Sequence, residues 1–403
     1  MPQFYKSLED IGGPLARLQS AIISDEVLSR LTKVWLSFGN TGRAVQDHMV
    51  IIVLVNLTMR LGSAAAATTR LREFVDHPVT RCDAIIPILG VSVRSDVRLT
   101  DDLYLMPWST VPTSWQRESF DEGGDQARQL MAHVNPPTAA LRIEFTESKV
   151  LFTAAERAQT LGALDPSRTE LVQYYTDLVP ACLSLVANVP CVALGYWFWP
   201  TNDVVAEFGP TGTIRSSFSS DMSLLGACLN PVAVDPIRAT SVVSGFDRIP
   251  QKDQDVMRIV VDRLSTSRRR IGLADKCIDL GIAIEAMMLH ENTQAADRGE
   301  LRFRIAVRGA AYAGKSPEDR KATFARLREA YDLRSAAVHV GRVSEQLKGG
   351  RNTREVVDET TQLVSAIAEQ IIGDGHFPDW DALVIGGVST LTSPTIEAPV
   401  VGK

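Results

Sequence analysis

An arginine and a histidine stand five positions apart in the segment Tyr331-Asp332-Leu333-Arg334-Ser335-Ala336-Ala337-Val338-His339-Val340-Gly341. The guanidinium of Arg334 is a permanent cation, and the imidazole of His339 can take up or release a proton near neutral pH. Together they suit chemistry on a phosphodiester, where a proton must move while negative charge builds on phosphate oxygens. An Arg-x4-His pair is common by chance, so the elements that carry it decide whether it has meaning.

Three helices are expected around the pair. The first runs from about Lys276 to Leu289, with Ile278, Ile282 and Leu289 on one stripe and Glu285 in line with them. A carboxylate on an apolar face is costly unless paired, so Glu285 is expected to have a cationic or hydrogen-bonding partner. The second runs from about Glu300 to Tyr312. The third starts at Ser316 and carries Phe324, Leu327 and Tyr331 before it reaches the pair. On an ideal helix Arg334 and His339 point roughly 140° apart. Ser335, four positions before His339, is the residue that shares its face. Bringing Arg334 and His339 together therefore takes the reach of the arginine stem, a break in the helix, or a second subunit. Gly341 predicts a helix end just past the histidine, which keeps the imidazole in contact with solvent.

A competing motif lies between the second and third helices. Gly309-Ala310-Ala311-Tyr312-Ala313-Gly314-Lys315-Ser316 fits the phosphate-loop pattern letter by letter. Pro317 argues against it, because a proline pushes the residue before it out of helical angles just where a phosphate loop must enter its helix. Ser316 reads better as an N-cap with Pro317 at the first helical position. The loop would also need a parallel sheet, and its surroundings read as helical apart from one apolar run, Ala382–Ile385, taken as a strand. A nucleotide-hydrolysing loop is thus a remote alternative.

At 403 residues the chain exceeds one ordinary core, so two domains are expected. The fold class expected is α+β: a mixed N-terminal domain over 1–245, an all-α domain over 246–388, and a disordered Ser/Thr/Pro-rich tail over 389–403. In the first domain, Leu15–Phe38 has helical spacing, Cys82–Val91 reads as a short strand and turn broken by Pro87, and Asp101–Pro112 reads as a packed loop. The apolar run His48–Leu57 is a core strand or a buried helix segment. Ala154–Ala187 reads as helical with breaks at Pro166 and Pro180, and Val192–Trp199 as a strand ending at Pro200. Tyr196-Trp197-Phe198-Trp199 has the composition of a base-stacking platform, but no Lys or Arg interleaves with it, so a core strand is the expected role.

Net charge is −6, which excludes a generally basic nucleic-acid coat. Charge is unevenly spread, however. Residues 251–360 hold 21 Lys and Arg against 17 Asp and Glu, leaving −10 for the rest of the chain. The basic residues include Arg268-Arg269-Arg270 and Arg302, Arg304 and Arg308. A solvated face is the ordinary role of such a run, and a phosphate- or RNA-facing surface is the alternative. The five cysteines are scattered, without a Cys-x2-Cys pair, and fit reduced thiols in a cytosol. His48, His77 and His133 have no ligand spacing, so no metal and no cofactor are expected. The N-terminus sets Gln3, Lys6, Glu9 and Asp10 ahead of any apolar run, and the longest apolar stretch is too short to span a bilayer. A cytoplasmic protein with no membrane partner is expected.

Three segments, Ile278–Leu289, Glu300–Ala311 and Tyr331–Gly341, together with Gly375–Gly387, resemble the Apea-like branch of HEPN domains in order and spacing. The resemblance covers roughly 250–388. It implies an all-α domain that pairs as a homodimer through its active helices. It also implies an R-x4-6-H motif that cleaves RNA without a metal, in antiviral or toxin systems. Arg334 and His339 match that motif, and Glu285 matches the acidic position that steadies it. Ser335 departs from the Asn, Asp or His common after the arginine, and the family also holds non-catalytic members that bind RNA or nucleotides as dimerisation modules. No resemblance covers 1–245, to which a sensor or regulatory role falls by analogy alone, with an unknown trigger.

Overall fold

The computed structural model describes residues 12–38, 41–121, 136–160, 166–208, 230–290, 300–347 and 349–385. The chain divides into two compact units, one of residues 1–183 and 191–236, the other of 184–190 and 237–403. The division falls at 236/237, earlier than the expected 245/246, because the helix Pro236–Phe246 belongs with the helices that follow it. The fold is α+β, with the sheets in the first unit and a helical second unit.

The first unit is organised on the strand Cys82–Leu89, in which every residue is buried. A strand covered on both faces needs no polar alternation, which is why CDAIIPIL reads as a nearly continuous apolar run. It pairs antiparallel with Ala139–Ile143, which pairs in turn with Leu103–Pro107 and then Val97–Arg98. Pro87 does not break the strand, contrary to expectation. On its far side the neighbouring strand is split into Val192–Ala193 and Trp197–Pro200, and the proline lies opposite the gap. There its carbonyl accepts from the Leu194 amide at 3.0 Å, so the missing N–H costs no ladder bond.

Several other expectations for this unit change. Leu15–Phe38 holds a helix only over Gly12–Ser24, then a 3₁₀ turn over Leu28–Lys33 and the strand Val34–Phe38, which pairs with Thr41–Ala44 and Leu151–Thr153. Asp101–Pro112 contains a sheet strand as well as the 3₁₀ turn Trp108–Thr110. Pro166 opens the helix Pro166–Ala187 rather than breaking one, and Pro180 sits inside it. The lost helical bond there is offset by burial of Leu178, Val179, Ala181, Cys182 and Leu183. The apolar run at His48–Leu57 lies in the helix Asp47–Leu61, ended by Gly62 in the left-handed conformation at φ 70°. Tyr196, Trp197 and Phe198 are buried, and Trp197 stacks on Phe120 at 6.2 Å between ring centroids, edge-on to Trp108. They form a core and present no platform to bases.

In the second unit we label α1 Gln251–Arg269, α2 Leu273–Met288, α3 Leu301–Ala313, α4 Pro317–Val340, α5 Thr353–Asp374 and α6 Trp380–Ile385. Helix α1 packs on α2, α3 on α4, and α2 on α4, while α5 lies against α1, α2 and α4. The inward stripe of α4 is Leu327, Ala330, Leu333 and Ala337, at the spacing one helical face requires. Helix α3 approaches α4 closely because Gly309 has no side chain: a Cβ there would lie 2.2 Å from Leu327 Cδ1.

The turn between α3 and α4 decides against the phosphate loop. Gly309–Ala313 is helical, and Ser316 caps α4, its Oγ accepting from the Asp319 amide at 3.1 Å while the Ser316 amide donates to Asp319 Oδ2 at 3.2 Å. Pro317 occupies the first helical position as expected. Ala382–Ile385 lies in helix α6 and is not a strand. Ser316→Ala is expected to cost about 1 kcal/mol of stability, read as a lower thermal midpoint; an unchanged melt would mean the cap is not engaged. The 389–403 tail and His133 lie outside the described residues.

Candidate functional site

Helix α4 carries the Arg334–His339 pair without a break, so the two side chains leave the axis roughly 140° apart and about 7.5 Å apart along it. Arg334 turns toward α2. Its stem crosses that helix at Gly281, where a Cβ would meet Arg334 Cγ at 2.2 Å and Cβ at 2.8 Å. One turn further along α2, Glu285 Oε2 accepts from Arg334 Nη2 at 3.1 Å. Both side chains are about a quarter exposed. Arg334 Nε is buried and has no hydrogen-bond partner among the described residues. Burial pushes the Glu285 carboxyl above its ordinary range, and the adjacent Arg334 cation pulls it back.

The expected partner of Glu285 is therefore Arg334. Ile278, Ile282 and Glu285, with Leu289 just past the helix end, line a half-buried edge of α2, while its buried positions are Cys277, Asp279, Leu280, Gly281, Ala283, Ile284, Met287 and Met288. At such an edge a carboxylate keeps part of its hydration and needs only one strong partner.

His339 is exposed in the last turn of α4, and Gly341 ends the helix in the left-handed conformation at φ 72°. No hydrogen bond or ion pair engages its imidazole among the described residues. Ser335 is half-buried one turn earlier on the same face. Val338 and Val340 flank the histidine with 47% and 61% of their surfaces exposed.

The expected basic surface is corrected. Arg308 is buried, donating to the Met288 carbonyl at 2.8 Å and to Asp381 Oδ1 at 2.8 Å, so it ties α2 and α6 to α3 and cannot meet a phosphate. Arg302 is ion-paired with Asp332, and Arg304 is half-buried. The Arg268–Arg270 run is likewise engaged: Arg268 with Asn188 and Ser365, Arg269 with Thr266, and Arg270 with buried Asp279, which Arg263 also reaches at 3.0 Å. Sequence alone could not separate most of these side chains from free cations, because, Thr266 apart, their partners lie on other elements. A further pair escaped it for the same reason: His290 Nε2 lies 2.7 Å from Oδ1 of buried Asp253, with the ring packed on Phe377 at 4.4 Å between centroids.

Among the described residues, no three His, Cys, Asp or Glu side chains gather where a metal ion could be held, and no helix is long and apolar enough to cross a membrane. No family model matches the chain, and neither a curated protein nor a solved structure matches it.

The closeness of Gly281 to Arg334 gives a direct test of this geometry. Gly281→Ala places a methyl group where the arginine stem runs, and overpacking of this kind costs about 1–3 kcal/mol. A lower denaturation midpoint together with loss of any activity that depends on Arg334 is expected. A variant as stable and active as the parent would mean the two helices have room to spare.

Proposed function

We propose that the helical unit is a metal-independent endoribonuclease of the HEPN type, acting as a homodimer in the cytoplasm, and that it serves antiviral defence or a toxin system. The observation that carries this reading is the setting of the pair: a cation held on Glu285 across Gly281, and, further along the same helix, an exposed histidine with no partner among the described residues. The 2′-oxygen of the RNA attacks the adjacent phosphorus while His339 takes its proton. The bond from phosphorus to the 5′-oxygen then breaks, and the leaving oxygen receives a proton from an imidazolium. Arg334 offsets the charge that builds on the phosphoryl oxygens. The nucleophile is already in the substrate, so no metal is needed to generate one. The products are a 2′,3′-cyclic phosphate and a 5′-hydroxyl, and DNA is inert.

Because Arg334 and His339 leave α4 on different faces, the active site is read as composite, with the arginine of one copy facing the histidine of another. The exposed Val338 and Val340 beside His339 support a surface that a second copy covers. The first unit then senses or regulates. A second reading, an RNA- or nucleotide-binding dimerisation module without catalysis, draws on Ser335 and on the ion pair that already occupies Arg334. Incubation of the full chain with end-labelled RNA in EDTA separates the two: cleavage supports the enzyme, and retention of intact RNA supports the binder.

A further inference from the structure

An opening in the helical unit lies away from the Arg334–His339 pair. It has a volume of about 1250 Å³ and lies between the end of α3, the start of α4, the end of α5 and α6. Its apolar wall includes Val307, Ala311, Phe324, Pro378, Leu383 and Val384. Three cations line it as well: Lys315, Arg320 and Lys321. Lys315 and Lys321 are exposed and have no ion-pair partner among the described residues. Arg320 is fixed in place. Its Nε donates to the Gly314 carbonyl at 3.2 Å, and its stem lies where a Cβ on Gly314 would be 2.3 Å away. Against these cations stands one lining carboxylate, Asp374, which accepts the Tyr312 hydroxyl at 2.9 Å. His376, also on the rim, is engaged through Nδ1 with the Asp374 carbonyl at 2.9 Å. Lys315 is the lysine of the sequence that imitates a phosphate loop. It cradles no phosphate in that manner, but it stands at the mouth of a cavity with an excess of positive charge.

We propose that this cavity binds a small amphipathic anion, with a phosphate-like head held by Lys315, Arg320 and Lys321 and an apolar body lying against Phe324, Ala311 and Val384. A cavity walled by apolar side chains with a few converging charges is what such a ligand requires, since the body supplies affinity and the charges fix orientation. Neither part alone suffices: exposed lysines hold a free phosphate weakly in water, and a neutral body leaves the cations unanswered. The site is separate from the proposed nuclease centre, because Arg320 and Arg334 are about 21 Å apart along α4.

Isothermal titration calorimetry on the full chain tests this with four probes: octyl phosphate below its micelle concentration, AMP, inorganic phosphate and octanol. At least one of the first two is expected to bind saturably at one site per chain. Inorganic phosphate and octanol are expected to bind at least ten-fold more weakly. Tighter octyl phosphate identifies an alkyl body and tighter AMP a planar one, and either ranking supports the site. Lys315→Glu combined with Lys321→Glu, both exposed, should weaken binding at least ten-fold without changing the melt, and Ala311→Trp should do so by filling the cavity. His339→Ala should bind as the parent does, whatever the fate of the nuclease reading. Absence of saturable binding by both amphipathic probes, or binding indifferent to the double charge reversal, overturns the proposal.

Discussion

Replacing His339 by alanine is expected to abolish RNA cleavage while leaving the fold as it was. The imidazole is the group that moves the proton in the proposed reaction, and loss of a positioned general acid–base typically costs about 10²–10⁴-fold in rate. The structure gives no reason for a stability effect of comparable size. His339 is exposed, belongs to the final helical turn, and makes no hydrogen bond or ion pair among the described residues. Alanine is also the better helix former. Circular dichroism and thermal melting should therefore agree with the parent to within about 0.5 kcal/mol. Full cleavage by this variant would remove His339 from the chemistry.

Replacing Arg334 by alanine is expected to have the second large effect, and this one should reach both activity and stability. Loss of a preorganised group that offsets transition-state charge costs about 10²–10³-fold in rate. The same change leaves Glu285 half-buried without its cation, at about 1–2 kcal/mol. The pH dependence of that loss has a definite sign. Burial already raises the Glu285 pKa, and removing Arg334 raises it further. The folded state then holds its proton to higher pH than the unfolded chain does, so stability falls as pH rises through that window. The melt deficit should be small in acid, where Glu285 is neutral, and full near neutral pH. A composite site adds a sharper consequence. Arg334→Ala and His339→Ala chains, each inactive alone, should recover about a quarter of parental activity when mixed and allowed to exchange subunits. Half of the dimers would then carry one complete site of two. No recovery would place both residues of each site on one chain.

The elements differ in how far their local sequence reveals them. The three helices around the pair were readable because their apolar periodicity, the Ser316–Pro317 start and the Gly341 stop are local signals. The Glu285 pairing followed from the cost of an acid near an apolar face, although the face proved to be an edge. Gly281 carried no visible signal, since its role lies in what α4 places against it. The arginines of α3 misled for a related reason: burial of Arg308 depends on Asp381, 73 positions away. In the N-terminal unit, Pro87 reads as a strand breaker until the gap between Ala193 and Trp197 is seen beside it. The cation-lined cavity at Lys315 is likewise visible only once α5 and α6 are brought against the α3–α4 turn.

In the proposed reaction the helical unit cleaves RNA through the substrate's own 2′-hydroxyl, with Arg334 and His339 as the agents. The most direct measurement compares an RNA oligonucleotide with the same oligonucleotide carrying a single 2′-deoxy substitution at the cleaved position, both incubated with the full chain in EDTA. The ribonuclease reading predicts scission of the first to a 2′,3′-cyclic phosphate and a 5′-hydroxyl, and an intact bond at the substituted position of the second. Scission at the 2′-deoxy position, or no scission of either strand, would contradict it.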